Sequence, residues 1–222
     1  MCLSEQLKML FLNDKYRGAN VTNSVEDPFR EIVGPPLIKE LSSISLPSLL
    51  TMVIDKSVPK IMTDNIPQYS SYNNGTKRLI NILRMAGNNG PSFREIGIYL
   101  LRDGKSDVAY IKYGENHAKL AREYGLVYFT RSGSYRVYLT KLGKVIEQLR
   151  DDVQNDILVK LSLRIPIIQH CFKNSIFSPK DVEKLLNNHL SKSTALRRKN
   201  NVLTIIDMIN NKLQGNVSDY GV

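Results

Sequence analysis

The sequence predicts a mainly helical α+β protein that carries one small β-hairpin. Apolar residues such as Leu79, Ile82 and Leu83 recur at helical spacing through most of the chain beyond residue 75. Two short apolar runs, at residues 126–130 and 135–139, are separated by an Arg-Ser-Gly-Ser turn, which is typical of a hairpin. At 222 residues the chain is long enough for one large domain or for about two to three small ones.

Basic residues are concentrated in the middle of the chain. The whole sequence has 31 basic and 21 acidic residues, a net charge of +10 and a pI near 9.5. Residues 76–150 hold 14 basic and 6 acidic residues, a net +8, against −1 for residues 1–75 and +3 for residues 151–222. This balance favours nucleic acid as a partner over a membrane, because no stretch approaches about 18 consecutive apolar residues.

The cysteine content and the first residues of the sequence indicate in which cellular compartment the protein is expected. Cys2 and Cys171 are the two cysteines of the sequence, which is typical of reduced thiols and not of a disulfide framework. The first fifteen residues lack the basic leader and clean apolar run of a signal peptide. We therefore expect a cytoplasmic protein.

Prolines divide residues 1–75 into short pieces. Helices are predicted at residues 4–13 and from Ser45 onward, and residues 67–75, rich in Asn and Ser, are predicted to be a linker. We expect this N-terminal region to mediate dimerisation or to contact a partner subunit. The prolines that interrupt it are Pro28, Pro35, Pro36, Pro47, Pro59 and Pro67.

The start of the segment 76–150 has clear helix boundaries. A first helix is predicted from Thr76, with Gly87 as its C-terminal stop. Ser92 followed three residues later by Glu95 has the spacing of a capping box, which predicts the start of a second helix.

A third helix, a hairpin and a fourth helix complete this segment. The third helix is predicted at residues 108–124, with the small residues Ala118 and Ala121 and the ring of Tyr124 on a narrow inner face. The order helix, helix, helix, hairpin, helix is that of a winged-helix module, in which the third helix enters a major groove and the hairpin contacts the backbone. The predicted DNA-binding residues are Lys112, Tyr113, Asn116, Lys119 and Arg122 on the helix, and Arg131, Ser132, Ser134 and Arg136 in the hairpin.

Residues 151–213 have the pattern of a second helix-turn-helix module, without a hairpin. Pro166 and the pair Ser178-Pro179 mark two helix starts, and a long helix begins with a cap at Ser191 or Ser193. Cations near a helix N-terminus oppose the helix dipole, so a neighbouring anion such as a phosphate would stabilise them. The predicted DNA contacts here are Thr194, Arg197, Arg198, Lys199 and Asn201, and residues 214–222 are predicted to be a flexible tail.

Three stretches carry a resemblance to a known family: "ENHAKLAREYGLV", "RVYLTKLGKVI" and "LSKSTALRRKNNVLTIIDMI". With them, residues 76–213 resemble the tandem winged-helix modules of restriction-modification and related defence proteins, which often stand beside a nuclease or ATPase domain. The resemblance implies sequence-specific binding of double-stranded DNA, as a recognition component or regulator, with a second copy or a nuclease or ATPase as protein partner.

Two other functions stay open at this point. A metal-dependent, type II restriction-like nuclease would need paired carboxylates and a lysine, for which Asp55, Lys56 and Lys60 are the candidates, although the flanking prolines disfavour a central strand. A winged-helix scaffold that binds only protein is the other alternative. We find no nucleotide-binding glycine motif and no zinc-type cysteine spacing, and therefore predict no catalytic residue, no metal site and no cofactor.

Overall fold

The computed structural model describes residues 4–13, 16, 21–22, 26–56, 58–69, 75–101, 104–132 and 134–218. Within these ranges the protein is mainly helical, with eleven α-helices, a short 3-10 helix at Thr63–Asn65 and one small sheet. The predicted mainly helical class with a β-hairpin is confirmed. The helices are α1 Glu5–Leu12, α2 Pro35–Ser43, α3 Leu46–Ile54, α4 Gly75–Asn89, α5 Phe93–Leu101, α6 Asp107–Glu123, α7 Lys141–Glu147, α8 Asp151–Ser162, α9 Pro166–Lys173, α10 Pro179–Asn187 and α11 Lys192–Ser218.

Local capping fixes several helix starts where the sequence predicted them. The Ser92 backbone N–H donates to the Glu95 carboxylate at 2.7 Å, and the Glu95 backbone N–H donates back to Ser92 Oγ at 3.3 Å. Ser178 Oγ accepts from the backbone N–H of Asp181 in the same way at the start of α10. The capping-box and Ser-Pro predictions are therefore confirmed.

The sheet consists of β1 Val21–Thr22, β2 Val127–Ser132 and β3 Ser134–Leu139. β2 and β3 form the antiparallel hairpin, and β1 pairs with β2 in parallel. The predicted four-residue turn at 131–134 is wrong, because the ladder continues until Ser132 pairs with Ser134. On the far side of the hairpin, the backbone N–H of Val137 donates to the carbonyl of Pro91 at 3.0 Å. Each edge of the hairpin thus meets another segment of the chain, which blunts edge-to-edge pairing.

Helices α5 and α6 pack against each other at very short range. A β-carbon added at Gly97 would overlap the carbonyl oxygen of Tyr110, and one added at Gly114 would overlap that of Phe93. The predicted inner face of α6 is confirmed, since its residues at 118, 121 and 124 are fully buried. Gly97 and Gly114, for which the sequence pattern makes no prediction, bring the two backbones together.

Two predicted boundaries need correction. α4 does not stop at Gly87 but continues to Asn89, and the positive φ of 55° occurs at Gly90. α11 extends to Ser218, so residues 214–218 of the predicted tail are helical, while residues 219–222 lie outside the described residues. Helices α2 and α8 were not predicted.

The N-terminal region shares its core with the rest of the chain. Buried side chains of all three predicted segments, such as Leu10, Leu83 and Ile205, belong to one apolar cluster. The ammonium group of the buried Lys160 on α8 donates to the carbonyls of Leu41 and Ser42 at 3.0 and 3.2 Å, in the last turn of α2. The division of the chain into domains stays a prediction.

No single helix in the described ranges is long and apolar enough to cross a membrane. Helices α2 and α3, which meet at a bend of 104°, reach the required length and composition only as a pair.

Candidate nucleic-acid interface

The outer face of α6 carries a row of paired charges. Lys112 is exposed and lies 3.0 Å from the carboxylate of Glu115, which also pairs with Lys119 at 2.8 Å. Burial opposes ionisation of Glu115, but the two lysines more than offset it, so its pKa lies below the usual value. Two of the five predicted contacts on this helix therefore share one carboxylate within the protein.

Arg122 turns toward the core. Only 10% of its side chain is exposed, its guanidinium lies 4.9 Å from the ring centre of Phe129, and its Nη2 is 3.5 Å from the carboxylate of Glu123. In this conformation Arg122 stabilises the junction between α6 and β2 and presents little of its surface to a ligand.

Residues 61–69, which we call the strap, lie across the C-terminal half of α6. The amide nitrogen of Asn65 donates to the Glu123 carboxylate at 3.1 Å, and both residues are buried. Asp64 pairs with Lys119 at 3.6 Å. Ile66 is 1% exposed, and it lines the same contact. The strap therefore meets the face of α6 that the sequence predicted to read bases.

Tyr69 continues this contact toward the middle of α6. Its ring centre is 3.9 Å from that of His117, and its hydroxyl lies 2.5 Å from the hydroxyl of Tyr113. Arg78 on α4 donates to both hydroxyl groups, at 2.6 Å for Tyr113. Burial and the bond to Tyr69 raise the pKa of Tyr113 to about 12. Tyr113, another predicted DNA contact, is thus held in an aromatic cluster.

His117 is a buried neutral imidazole. Its Nδ1 donates to the carbonyl of Tyr113 at 2.9 Å, while the buried Nε2 has no hydrogen-bond partner among the described residues. Burial lowers the pKa of His117 to about 4, with Arg78 acting in the same direction. We assign His117 a packing role under the strap.

Asn116, the predicted adenine reader, faces a small cleft between α6 and the strap. The cleft is lined by strap residues from Asp64 to Gln68 together with Asn116, Lys119, Leu120 and Glu123. The buried Oδ1 atoms of Asn116 and Asn65 accept no hydrogen bond from any residue that the structure describes. Asn116 is half-buried, so base contact requires that the strap move.

The cations of the hairpin and of α7 are less often paired with carboxylates than those of α6. Arg131 is exposed and lies over the ring of Tyr135 at 5.7 Å, whereas Arg136 pairs with Glu95 at 3.1 Å. Lys141 and Lys144 on α7, directly after β3, are exposed. No carboxylate of the described residues forms an ion pair with the side chain of Arg131, Lys141 or Lys144, although Asp27 accepts a hydrogen bond from the backbone N–H of Lys141 at 2.5 Å. The side chains of Ser132 and Ser134 lie outside the described part of the structure.

Some of the basic side chains in the N-terminal turns of α11 are also bound to acceptor groups of the same chain. Arg198 donates to the strap carbonyls of Thr63 and Ile66 at 3.0 and 3.2 Å, and Lys199 pairs with Glu183 at 2.7 Å. The groups that stabilise these two cations thus come from the protein itself.

The three other predicted contacts of this helix differ in exposure. Arg197 is exposed, whereas Thr194 and Asn201 are half-buried. Arg197 Nη2 lies 3.4 Å from Thr194 Oγ1, which also accepts a hydrogen bond from Ser191 at 3.0 Å.

The structure thus brings Asn116, Lys119 and Arg198 together around the strap, and it leaves Lys112, Arg131 and Arg197 facing outward. Sequence reasoning missed Asp64 as a partner of Lys119, and it missed Thr63 and Ile66 as partners of Arg198. It also missed Asn65, Tyr69 and Glu123, whose contacts join the strap to α6. Their contacts join positions far apart in the chain and leave no periodic pattern.

The nuclease candidates do not form a site in the described residues. Asp55 is the C-cap of α3, Lys56 and Lys60 are exposed, and residues 58–62 are neither helix nor strand. Among the residues described, no three His, Cys, Asp or Glu side chains are grouped as metal ligands would be.

No protein-family model matches the chain, and no curated protein or solved structure is detectably similar to it.

Proposed function

We propose that residues 76–150 form a winged-helix module that binds double-stranded DNA, and that the protein serves as a recognition component or regulator, as in restriction-modification and related defence systems. The observation that carries this proposal concerns Arg131, Lys141 and Lys144, on the hairpin and on the helix that follows it. Their side chains are exposed and form no ion pair with any residue that the structure describes. They lie in the segment with the net charge of +8. Exposed cations without a carboxylate partner are typical of phosphate binding.

The proposed contacts differ in what they recognise. Arg131 and the two α7 lysines bind phosphates, which gives affinity without sequence preference. Lys112 lies on the outward face of α6 and joins them at the groove. Asn116 supplies base preference when it is accessible, because its amide can pair with the edge of an adenine.

The test is a duplex-binding titration at several salt concentrations. Arg131→Ala and Lys144→Ala should each weaken binding to all duplexes equally and lower the salt slope by about one unit, since each removes one phosphate contact. Arg30→Ala is the matched control, an exposed arginine in the N-terminal region paired with Glu26 at 3.3 Å, and it should change nothing. The proposal is refuted if the wild-type protein does not bind duplex at low salt. It is also refuted if Arg131→Ala and Lys144→Ala both keep the wild-type dependence of affinity on salt concentration.

A second candidate is a module that binds protein. Helices α5 and α6 expose four large apolar side chains, and Val108 is the most exposed at 77%. The other three are Ile98, Tyr99 and Ile111. An exposed apolar group of this kind is typical of a contact with another subunit. This candidate predicts no duplex binding at low salt, whereas Val108→Asp would abolish association with the partner.

A further inference from the structure

We propose that the strap is an autoinhibitory segment, which covers the base-reading face of α6 and must leave before that face can enter a groove. This inference rests on the proposed function and adds its regulation. The proposal depends on which face of α6 the strap covers. Asn116, Lys119 and Glu123 follow one another at helical spacing on one face of α6, and all three face strap residues. A duplex and the strap compete for the same face.

The strap offers the helix a substitute for DNA chemistry. The carboxylate of Asp64 occupies the position of an anion beside Lys119. Burial and the neighbouring Arg197 lower the pKa of Arg198, and Asp64 acts in the opposite direction. Asn65 and Asn116 line the same cleft, and no hydrogen bond joins them. Like a duplex, the strap supplies negative charge to a cation of α6.

Both predicted DNA-binding modules hold the strap. Lys119 on α6 contacts its side chain at Asp64, and Arg198 on α11 binds its backbone through the carbonyls of Thr63 and Ile66. Release of this one segment therefore removes a partner from a cation in each module at once. This arrangement couples the two modules without a direct contact between their reading residues.

Packing holds the strap against α6, but this closed arrangement also buries polar groups that lack hydrogen-bond partners. Ile66 is buried, and Tyr69 lies against His117. Against this, the buried Oδ1 atoms of Asn65 and Asn116 have no donor among the described residues, and the carboxyl group of Glu123 is buried too. Opening would hydrate all three groups, which lowers the free energy needed for release.

The backbone of the strap also favours release. Within the described residues its regular structure is a single 3-10 turn, closed by the bond from the N–H of Asn65 to the carbonyl of Met62. The strap shares no strand ladder or helix with its neighbours. Detachment therefore breaks side-chain contacts and two Arg198 bonds, while secondary structure stays intact.

The test compares strap variants in the full-length chain. Asn65→Ala and Tyr69→Ala remove contacts that exist only in the closed arrangement, and each should tighten duplex binding by about tenfold, because apparent affinity rises with the fraction of open molecules. Met62→Ala is the control: Met62 is 43% exposed on the same segment, and its change should leave affinity as in the wild type. Arg131→Ala should weaken binding in every background.

These outcomes separate the two proposals. If Arg131→Ala weakens binding while the strap variants bind no tighter than wild type, the strap is a fixed part of the fold and DNA binding stands. If no variant binds duplex, both proposals fail.

Hydrogen exchange of the wild-type protein provides a second measurement that needs no substitution. Addition of duplex should increase exchange in residues 61–69. Unchanged protection of the strap in the bound state would overturn the inference even if the variants misfold.

Discussion

The amide of Asn65 and the carboxylate of Glu123 are joined by a buried hydrogen bond of 3.1 Å across 58 residues of sequence. This bond connects the proline-rich N-terminal region to the helix that the sequence predicts to read DNA. Residues 67–69, predicted to belong to a linker, are part of the same contact, since Pro67 is buried and Tyr69 packs on His117. The N-terminal region is therefore in position to control access to α6.

The first prediction concerns the pH dependence that Glu123 introduces. Burial raises the pKa of its carboxyl group above 4.5, although Arg122, Asn65 and Arg164 act in the opposite direction. A raised folded-state pKa favours the folded state while the group is protonated, and this stability is lost as the pH rises through that pKa. The glutamine of Glu123→Gln cannot ionise, so the variant does not lose this stability. Thermal unfolding measured from about pH 4 to pH 8 should therefore show the stability of the variant increasing relative to that of the wild type as the pH rises. Parallel stability curves would contradict the assignment.

The second prediction concerns His117, for which stability should fall as the pH is lowered and not as it is raised. Its pKa is lowered from 6.5 to about 4, so the unfolded chain takes up a proton in a pH range where the folded protein does not. Stability should be complete above pH 6.5 and fall progressively toward pH 4, by about 3 kcal/mol in total. His117→Phe retains ring packing and should remove this part of the acid sensitivity. His189→Phe, at a half-buried position, is the control and should leave it in place.

Local structure could be predicted from the sequence because its causes are local. The bonds between Ser92 and Glu95, and between Ser178 and Asp181, join residues three apart. The hairpin and the inner face of α6 follow from apolar periodicity in the same way.

The candidate site depends on contacts that no such pattern encodes. The parallel pairing of β1 with β2 and the bonds from Arg198 to the strap each join residues more than one hundred positions apart. From the sequence, Asn116 and Lys119 could be assigned to α6 but not to its covered face, because the strap is irregular and lacks periodicity. The exposed hairpin arginine, Arg131, was predictable because charge beside a turn faces solvent.

The third prediction tests the short range of the α5–α6 packing. Gly97→Ala and Gly114→Ala should each destabilise the protein by about 3 kcal/mol or more, because the added methyl group meets backbone atoms that cannot move independently. Gly104→Ala is the matched control, since no atom of the described residues lies within 4 Å of its β-carbon position. Chemical denaturation of the three variants measures the difference. Similar losses in all three would show that the helices are farther apart than described.

The fourth prediction compares two lysines that each bind a backbone carbonyl of the N-terminal region. Lys160 is 3% exposed, donates to Leu41 and Ser42, and pairs with Asp156 at 2.6 Å. Lys160→Met leaves these buried groups without their donor and should lower the free energy of unfolding by about 3 kcal/mol. Lys173, exposed, donates to the carbonyl of Lys56 at 2.7 Å, so Lys173→Met should cost less than about 1 kcal/mol because water replaces the lost donor. Urea unfolding of both variants gives the comparison, and equal losses would mean that the ammonium group of Lys160 is hydrated and does not anchor α2 to α8.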